Sequence, residues 1–98
     1  MNDLTINTNC ELNSSASNVN LNIGRNFNLN AGGFYTPNSN TTSFNGSSGQ
    51  RFSNIGTING SGLNNLSILN TSNTDIFSND LIVSGNLFIN AGSYLNDL

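Results

Sequence analysis

"LNIGRNFNLNAGGFY", residues 21–35, returns sixty residues later as "LIVSGNLFINAGSYL", residues 81–95. The two phrases align without a gap. Leu21 falls on Leu81, Ile23 on Val83, Phe27 on Leu87, Leu29 on Ile89 and Phe34 on Tyr94, and Asn30-Ala31-Gly32 falls on Asn90-Ala91-Gly92. Upstream, "DLTINTN" (3–9) echoes "NLSILNT" (65–71) once a two-residue shift is allowed. Residues 1–98 therefore read as a single repeat-built domain, with one unit at 4–64 and a partial second unit at 65–98. Repetition at a fixed period is the mark of stacked architectures, and the chain reads as a segment of a longer repeat protein.

Within the unit the local period is two. Leu4/Ile6, Val19/Leu21/Ile23, Phe27/Leu29, Leu66/Ile68, Leu81/Val83 and Leu87/Ile89 alternate with polar residues, as half-buried strands do. Helical spacing is never sustained. Asn45-Gly46, Asn59-Gly60, Ser-Gly and Ala-Gly pairs and Pro37 separate the strands, and these residue types favour turns because they tolerate or impose special φ values.

Two all-β architectures fit. The Asn-Gly pairs favour hairpins and an antiparallel β-sandwich. The repeat favours a solenoid, and a right-handed parallel β-helix of about five short coils is the expectation adopted. Cuts near residues 17, 40, 60 and 79 give coils of about twenty residues, which places 21–35 three layers below 81–95. At roughly 4.8 Å per layer the stack is about 20–25 Å tall. The inward ladders expected are Leu21, Ile23, Phe27, Leu29, Phe44, Phe52, Ile55, Leu66, Ile68, Leu81, Val83, Leu87 and Ile89. Asn side chains, which donate and accept, supply further ladders at the turns.

Composition agrees with a thin, polar-walled β structure. Apolar residues make up 35% of the chain, below the roughly 45–50% of globular domains. Charged residues make up 7%, with Asn alone close to a quarter of the chain. Low-complexity disorder is the bland alternative, and the patterning argues against it.

The net charge of −3 comes from Asp3, Glu11, Asp75, Asp80 and Asp97 against Arg25 and Arg51, with no lysine. Two scattered arginines do not make the phosphate-neutralising stripe of a nucleic-acid binder, nor a polybasic membrane site. No apolar run reaches the length of a membrane span, and "MNDLTINTNC" lacks the regions of a signal peptide. The single Cys10 forms no internal disulfide and reads as a buried small hydrophobe.

No residue set points to a reaction, so no catalytic, cofactor-binding or metal-ligating residue is assigned. The absence of histidine removes Ser-His-Asp and Cys-His mechanisms. Asp75 and Asp80, flanking "IFSN", are the only close carboxylate pair. They read as a turn-forming Asp and a solvated strand end rather than as an acid/base pair or a weak Ca²⁺ site. Phe34 and Tyr94 are expected to face the core and Tyr35 to face outward, with a platform for sugar rings there only as the minor alternative. The threonines (5, 8, 36, 41, 42, 57, 71, 74) do not fall at one coil spacing, as a regular ice-binding face needs.

A strand before Asn-Ala-Gly, then Phe34-Tyr35-Thr36-Pro37, Thr42-Ser43-Phe44-Asn45-Gly46, Gly49-Gln50, Asn65-Leu66-Ser67-Ile68 and a Val-Ser-Gly-Asn-Leu phrase follow one another. This order resembles the repetitive Asn/Gly/Thr-rich segments of large Bacteroidetes surface adhesins, and the resemblance covers nearly the whole chain. It implies a β-helical stalk module, non-enzymatic, secreted or outer-membrane-associated, and exported by the type IX secretion system. The sorting domain expected of that group is not found at Asn96-Asp97-Leu98. The partners it implies are adjacent β-coils of the same or a neighbouring chain, with surface glycans as the alternative. A carbohydrate-binding β-helix and a head-to-tail fibre subunit are the alternative functions; a polysaccharide-degrading enzyme ranks behind them.

Overall fold

The computed structural model describes residues 1–78 and 80–97. It is a parallel β-solenoid of about four turns. Each turn contributes up to three short strands, one to each of three sheets. The first sheet stacks β1 (Leu4–Ile6), β4 (Phe27–Leu29), β7 (Gln50–Asn54), β10 (Asn73–Ser78) and β12 (Tyr94–Asp97). The second stacks β2 (Glu11–Asn13), β5 (Phe34–Thr36) and β8 (Thr57–Ile58). The third stacks β3 (Leu21–Ile23), β6 (Thr41–Phe44), β9 (Asn65–Ile68) and β11 (Leu87–Ile89).

Every pairing between these strands is parallel, so the sandwich is not needed. Asn45-Gly46 and Asn59-Gly60, which read as hairpin turns, instead form corners where the chain passes from one sheet to the next.

The coils are longer than twenty residues, and this changes the meaning of the repeat. Leu4 pairs with Phe27 and Phe27 with Phe52, steps of 23 and 25 residues. Leu21 pairs with Thr42, Thr42 with Leu66 and Leu66 with Leu87, steps of 21, 24 and 21. The residue three layers from Leu21 is thus Leu87, not Leu81. A sixty-residue repeat spans two coils and two-thirds of a third. The phrase at 21–35 runs through the third, first and second sheets. At 81–95, β11 lies in the third sheet and β12 in the first. Leu81–Val83 takes the second sheet's place in the path, held by an isolated parallel bridge from Val83 to Leu63. The repeated phrase is a strand-and-turn unit, and its two copies lie one face out of phase.

Inside, aromatic rings fill the lumen. Phe27 stacks on Phe52 with centroids 4.7 Å apart, Phe44 tilts against Phe52 at 5.7 Å, and Tyr35 meets Phe27 edge-on at 5.6 Å. Leu21, Ile23, Leu29, Leu66 and Ile68 are buried with them, as expected. Leu81 and Val83 are half-buried and packed against the core.

Four expectations about burial fail. Ile55 is exposed, because Phe52 and Asn54 take the inward positions and the alternation turns the next residue out. Phe34 and Tyr94 face outward and Tyr35 is fully buried. The repeat alignment itself was sound, since Tyr35 matches the half-buried Leu95; the inward phase was assigned one residue off. Leu87 and Ile89 lie in the inward columns of Leu66 and Ile68 but are about half exposed, since they belong to the last coil. Cys10 is exposed rather than buried.

The asparagines account for much of the lateral wall. Asp3 Oδ1 accepts from the Asn26 backbone N–H (2.9 Å), and Asn26 Oδ1 accepts from that of Arg51 (3.0 Å). Asn20 and Asn65 do the same for Thr41 and Asn86, each at 2.9 Å. In each case an Asx beside the start of a strand caps the coil above it. Asn18 and Asn38 take left-handed backbone angles at one corner, which Asn tolerates better than most residues. The Asn38 amide donates to Asn18 Oδ1 at 2.8 Å, which is the side-chain ladder the composition predicted.

Candidate functional site

The carboxylates come first, because hydrolysis would need two of them facing one cleft. Asp75 sits in β10 between Arg51 and Asn96 of the neighbouring strands, and its Oδ1 accepts from the Asn96 amide at 2.9 Å. It is occupied in wall structure. Asp80 is exposed and lines an open groove of about 360 Å³ with Asp97, Ile76, Ser78, Leu81, Leu95 and Asn96. Asp75 does not line that groove. Asn79 of the intervening "IFSN" lies outside the described residues. Among the described residues no three His, Cys, Asp or Glu side chains gather as a metal would require.

The outward aromatics belong to different faces. Phe34 is in the second sheet, Phe88 in the third, and Phe77 and Tyr94 at opposite ends of strands in the first. Phe77 is covered in part by Arg51, whose guanidinium carbon is 5.4 Å from the ring centroid. Tyr35, expected to face outward, is inside the solenoid. Its hydroxyl lies 2.8 Å from Thr42 Oγ1 and accepts from the Asn40 amide at 3.0 Å.

Sequence reasoning missed the polar groups inside the core. Gln50 is buried, and its amide donates to the carbonyls of Ile23 (2.7 Å) and Arg25 (2.6 Å). Its Oε1 accepts from the Gly46 N–H (2.7 Å) and the Asn70 amide (2.9 Å). One side chain thus ties together three successive coils at the corner between the third and first sheets. The signal was present: Gln50 shares its parity in β7 with Phe52, an inward position for a polar residue.

Apolar side chains are also exposed in the last described coil. Leu87 and Ile89, at 51% and 44% exposure, lie in the inward columns of Leu66 and Ile68, and among the described residues no strand pairs above them. Leu81, Val83 and Leu95 beside them are only partly covered. At the other end Ile6, Leu21 and Ile23 are buried. Leu4 and Leu12 of the first coil are partly covered as well, so the two ends differ in degree.

Among the described residues no helix is long and apolar enough to cross a membrane. Comparison with protein-family models, with curated proteins and with solved structures finds no match for this chain.

Proposed function

We propose that this chain is a non-enzymatic structural section of a stalk, a β-solenoid that spaces the binding part of a secreted or cell-surface adhesin from the cell. One observation carries the reading: the polar side chains are used between coils. The Asp3–Asn26–Arg51 and Asn20–Thr41 ladders, the Asn38–Asn18 amide pair and the Gln50 clamp all bond one layer to the next. Chemistry directed along the stack builds a continuous wall, and each coil adds about 4.8 Å of reach. The adhesin assignment, the outer-membrane location and export by type IX secretion are supported by the order of the Asn/Gly/Thr-rich phrases alone.

The test is to offer the chain a panel of polysaccharides, following retention on the matrix and release of reducing ends. A stalk section gives neither. Saturable binding lost in Tyr94→Ala would replace the stalk with a carbohydrate-binding solenoid. Reducing ends lost in Asp80→Asn would replace it with an enzyme. Antibodies against the chain should label intact cells of the source organism; labelling only after permeabilisation would overturn the surface location.

A further inference from the structure

The chain holds two Asn-Gly pairs, Asn45-Gly46 and Asn59-Gly60, and both stand at corners between sheets. Such a pair has a chemistry of its own. The backbone nitrogen of the glycine, which no side chain shields, can attack the side-chain carbonyl carbon of the asparagine before it. Ring closure requires that nitrogen to give up its proton and swing toward the side chain. Its hydrogen bonding and its room to move therefore govern the rate.

At Asn45 the attacking nitrogen is held. The Gly46 N–H donates to Gln50 Oε1 at 2.7 Å, and Gln50 is itself fixed by the Ile23 and Arg25 carbonyls. A Cβ on Gly46 would overlap the Gly24 carbonyl oxygen and lie 3.0 Å from the Gln50 amide carbon, so this peptide has no space to turn. At Asn59 the arrangement is reversed. The Asn59 N–H is anchored to the Tyr35 carbonyl at 2.8 Å, and its side-chain amide donates to Thr36 Oγ1 at 3.0 Å. Gly60 is exposed, and among the described residues its N–H has no hydrogen-bond partner. No atom beyond its chain neighbours lies within 4 Å of where its Cβ would stand. Its φ of +81° is one that glycine enters and leaves at little cost.

We propose that Asn59 is a site of spontaneous deamidation and that the Gln50 clamp protects Asn45 from the same reaction. The Gly60 nitrogen bonds to Asn59 Cγ as the Cγ–Nδ2 bond breaks, and the Gly60 proton leaves with the amide nitrogen as ammonia. Water then opens the succinimide ring. Attack at Cγ gives aspartate. Attack at the backbone carbonyl carbon of residue 59 gives isoaspartate, whose main chain is longer by one methylene. Either product alters the second face. The Thr36 hydroxyl donates to Glu11 Oε2 at 2.6 Å, and that oxygen lies 3.5 Å from Asn59 Nδ2. A carboxylate at position 59 removes the donor to Thr36 and sets a like charge beside Glu11, which is destabilising. Because β8 rests on β5 next to this corner, the reaction loosens the contact between two coils as the protein ages.

The full wild-type chain, incubated in mildly alkaline buffer and then digested, tests this by peptide mass and an isoaspartate assay. An unchanged far-UV circular dichroism spectrum checks that the fold persists during the incubation. Conversion at Asn59 should run several-fold ahead of conversion at Asn45, although Asn45 is exposed and Asn59 half-buried. In concentrated urea the two should convert at similar rates, because neither glycine nitrogen is then held. Asn45 converting as fast as Asn59 in the folded chain overturns the protection. Absence of conversion at Asn59 in the folded chain overturns the site. The Asn59→Asp variant reads the consequence: its thermal midpoint should fall below wild type, and Glu11→Gln added to it should recover part of the loss. A midpoint unchanged by Asn59→Asp overturns the loosening.

Discussion

Gln50 and Asn70 meet inside the solenoid, the Asn70 amide donating to Gln50 Oε1 at 2.9 Å, and between them they hold three successive coils. The Asn70 amide also donates to the Ser48 carbonyl at 2.6 Å, and its Oδ1 accepts from the Ser72 N–H at 2.7 Å. With the Ile23 and Arg25 carbonyls and the Gly46 N–H on Gln50, all four amide N–H donors and both amide oxygens are engaged. Gln50→Leu keeps the volume and strips the bonds. Since a buried polar group left without a partner costs about 1–3 kcal/mol, we expect a loss of about 2–4 kcal/mol, measured by urea unfolding. A change within experimental error would mean the clamp is incidental.

The two tyrosines should differ in chemical accessibility. Tyr35 is fully buried and Tyr94 is 60% exposed. Nitration of the folded chain, read by peptide mass, should modify Tyr94 and spare Tyr35 until the protein is unfolded. Equal modification would restore an outward Tyr35 and with it a sugar platform.

Leu66 and Leu87 occupy the same column one layer apart, but Leu66 is 1% exposed and Leu87 51%. Leu66→Ala should cost about 2–5 kcal/mol, the usual range for a buried leucine. Leu87→Ala should cost no more than about 1 kcal/mol in the monomer, because half its surface is already in water. Equal losses would place a covering layer over the last coil.

Coil spacing sets the requirement for glycine at one corner. A Cβ on Gly56 would lie 2.5 Å from the Asn30 carbonyl oxygen and 2.8 Å from that of Gly33. Both are backbone atoms of the coil below, so Gly56→Ala should cost about 1–3 kcal/mol. At Gly49 the nearest atom would be 4.0 Å away, and Gly49→Ala should stay within about 0.5 kcal/mol of wild type. Thermal unfolding of the pair checks the contrast.

The fold was legible because two periods are written into the chain, alternation within strands and a repeated phrase between them. The coil length was not, and the reason is physical. Corners vary in length, so steps of 21 to 25 residues cannot be read from a sixty-residue repeat that spans no whole number of coils. Tyr35 was misplaced because two adjacent aromatics leave the inward phase open. Only its buried partners, Thr42 and Asn40, decide it. Gln50 was overlooked because a buried polar residue looks like a surface one until its carbonyl partners, 27 and 25 residues away, are brought beside it. The exposed end formed by Leu87 and Ile89 likewise has no sequence signal, since the same alternation marks covered and uncovered layers.

The solenoid is a parallel stack in which the two copies of the repeated phrase lie one face apart. Nuclear Overhauser contacts on the folded chain test it most directly. Contacts are expected between the Phe27 and Phe52 rings, between the amides of β4 and β7, and between β11 and β9 in the parallel pattern. Close Hα–Hα contacts joining residues 21–35 to 81–95 as an antiparallel hairpin would contradict it.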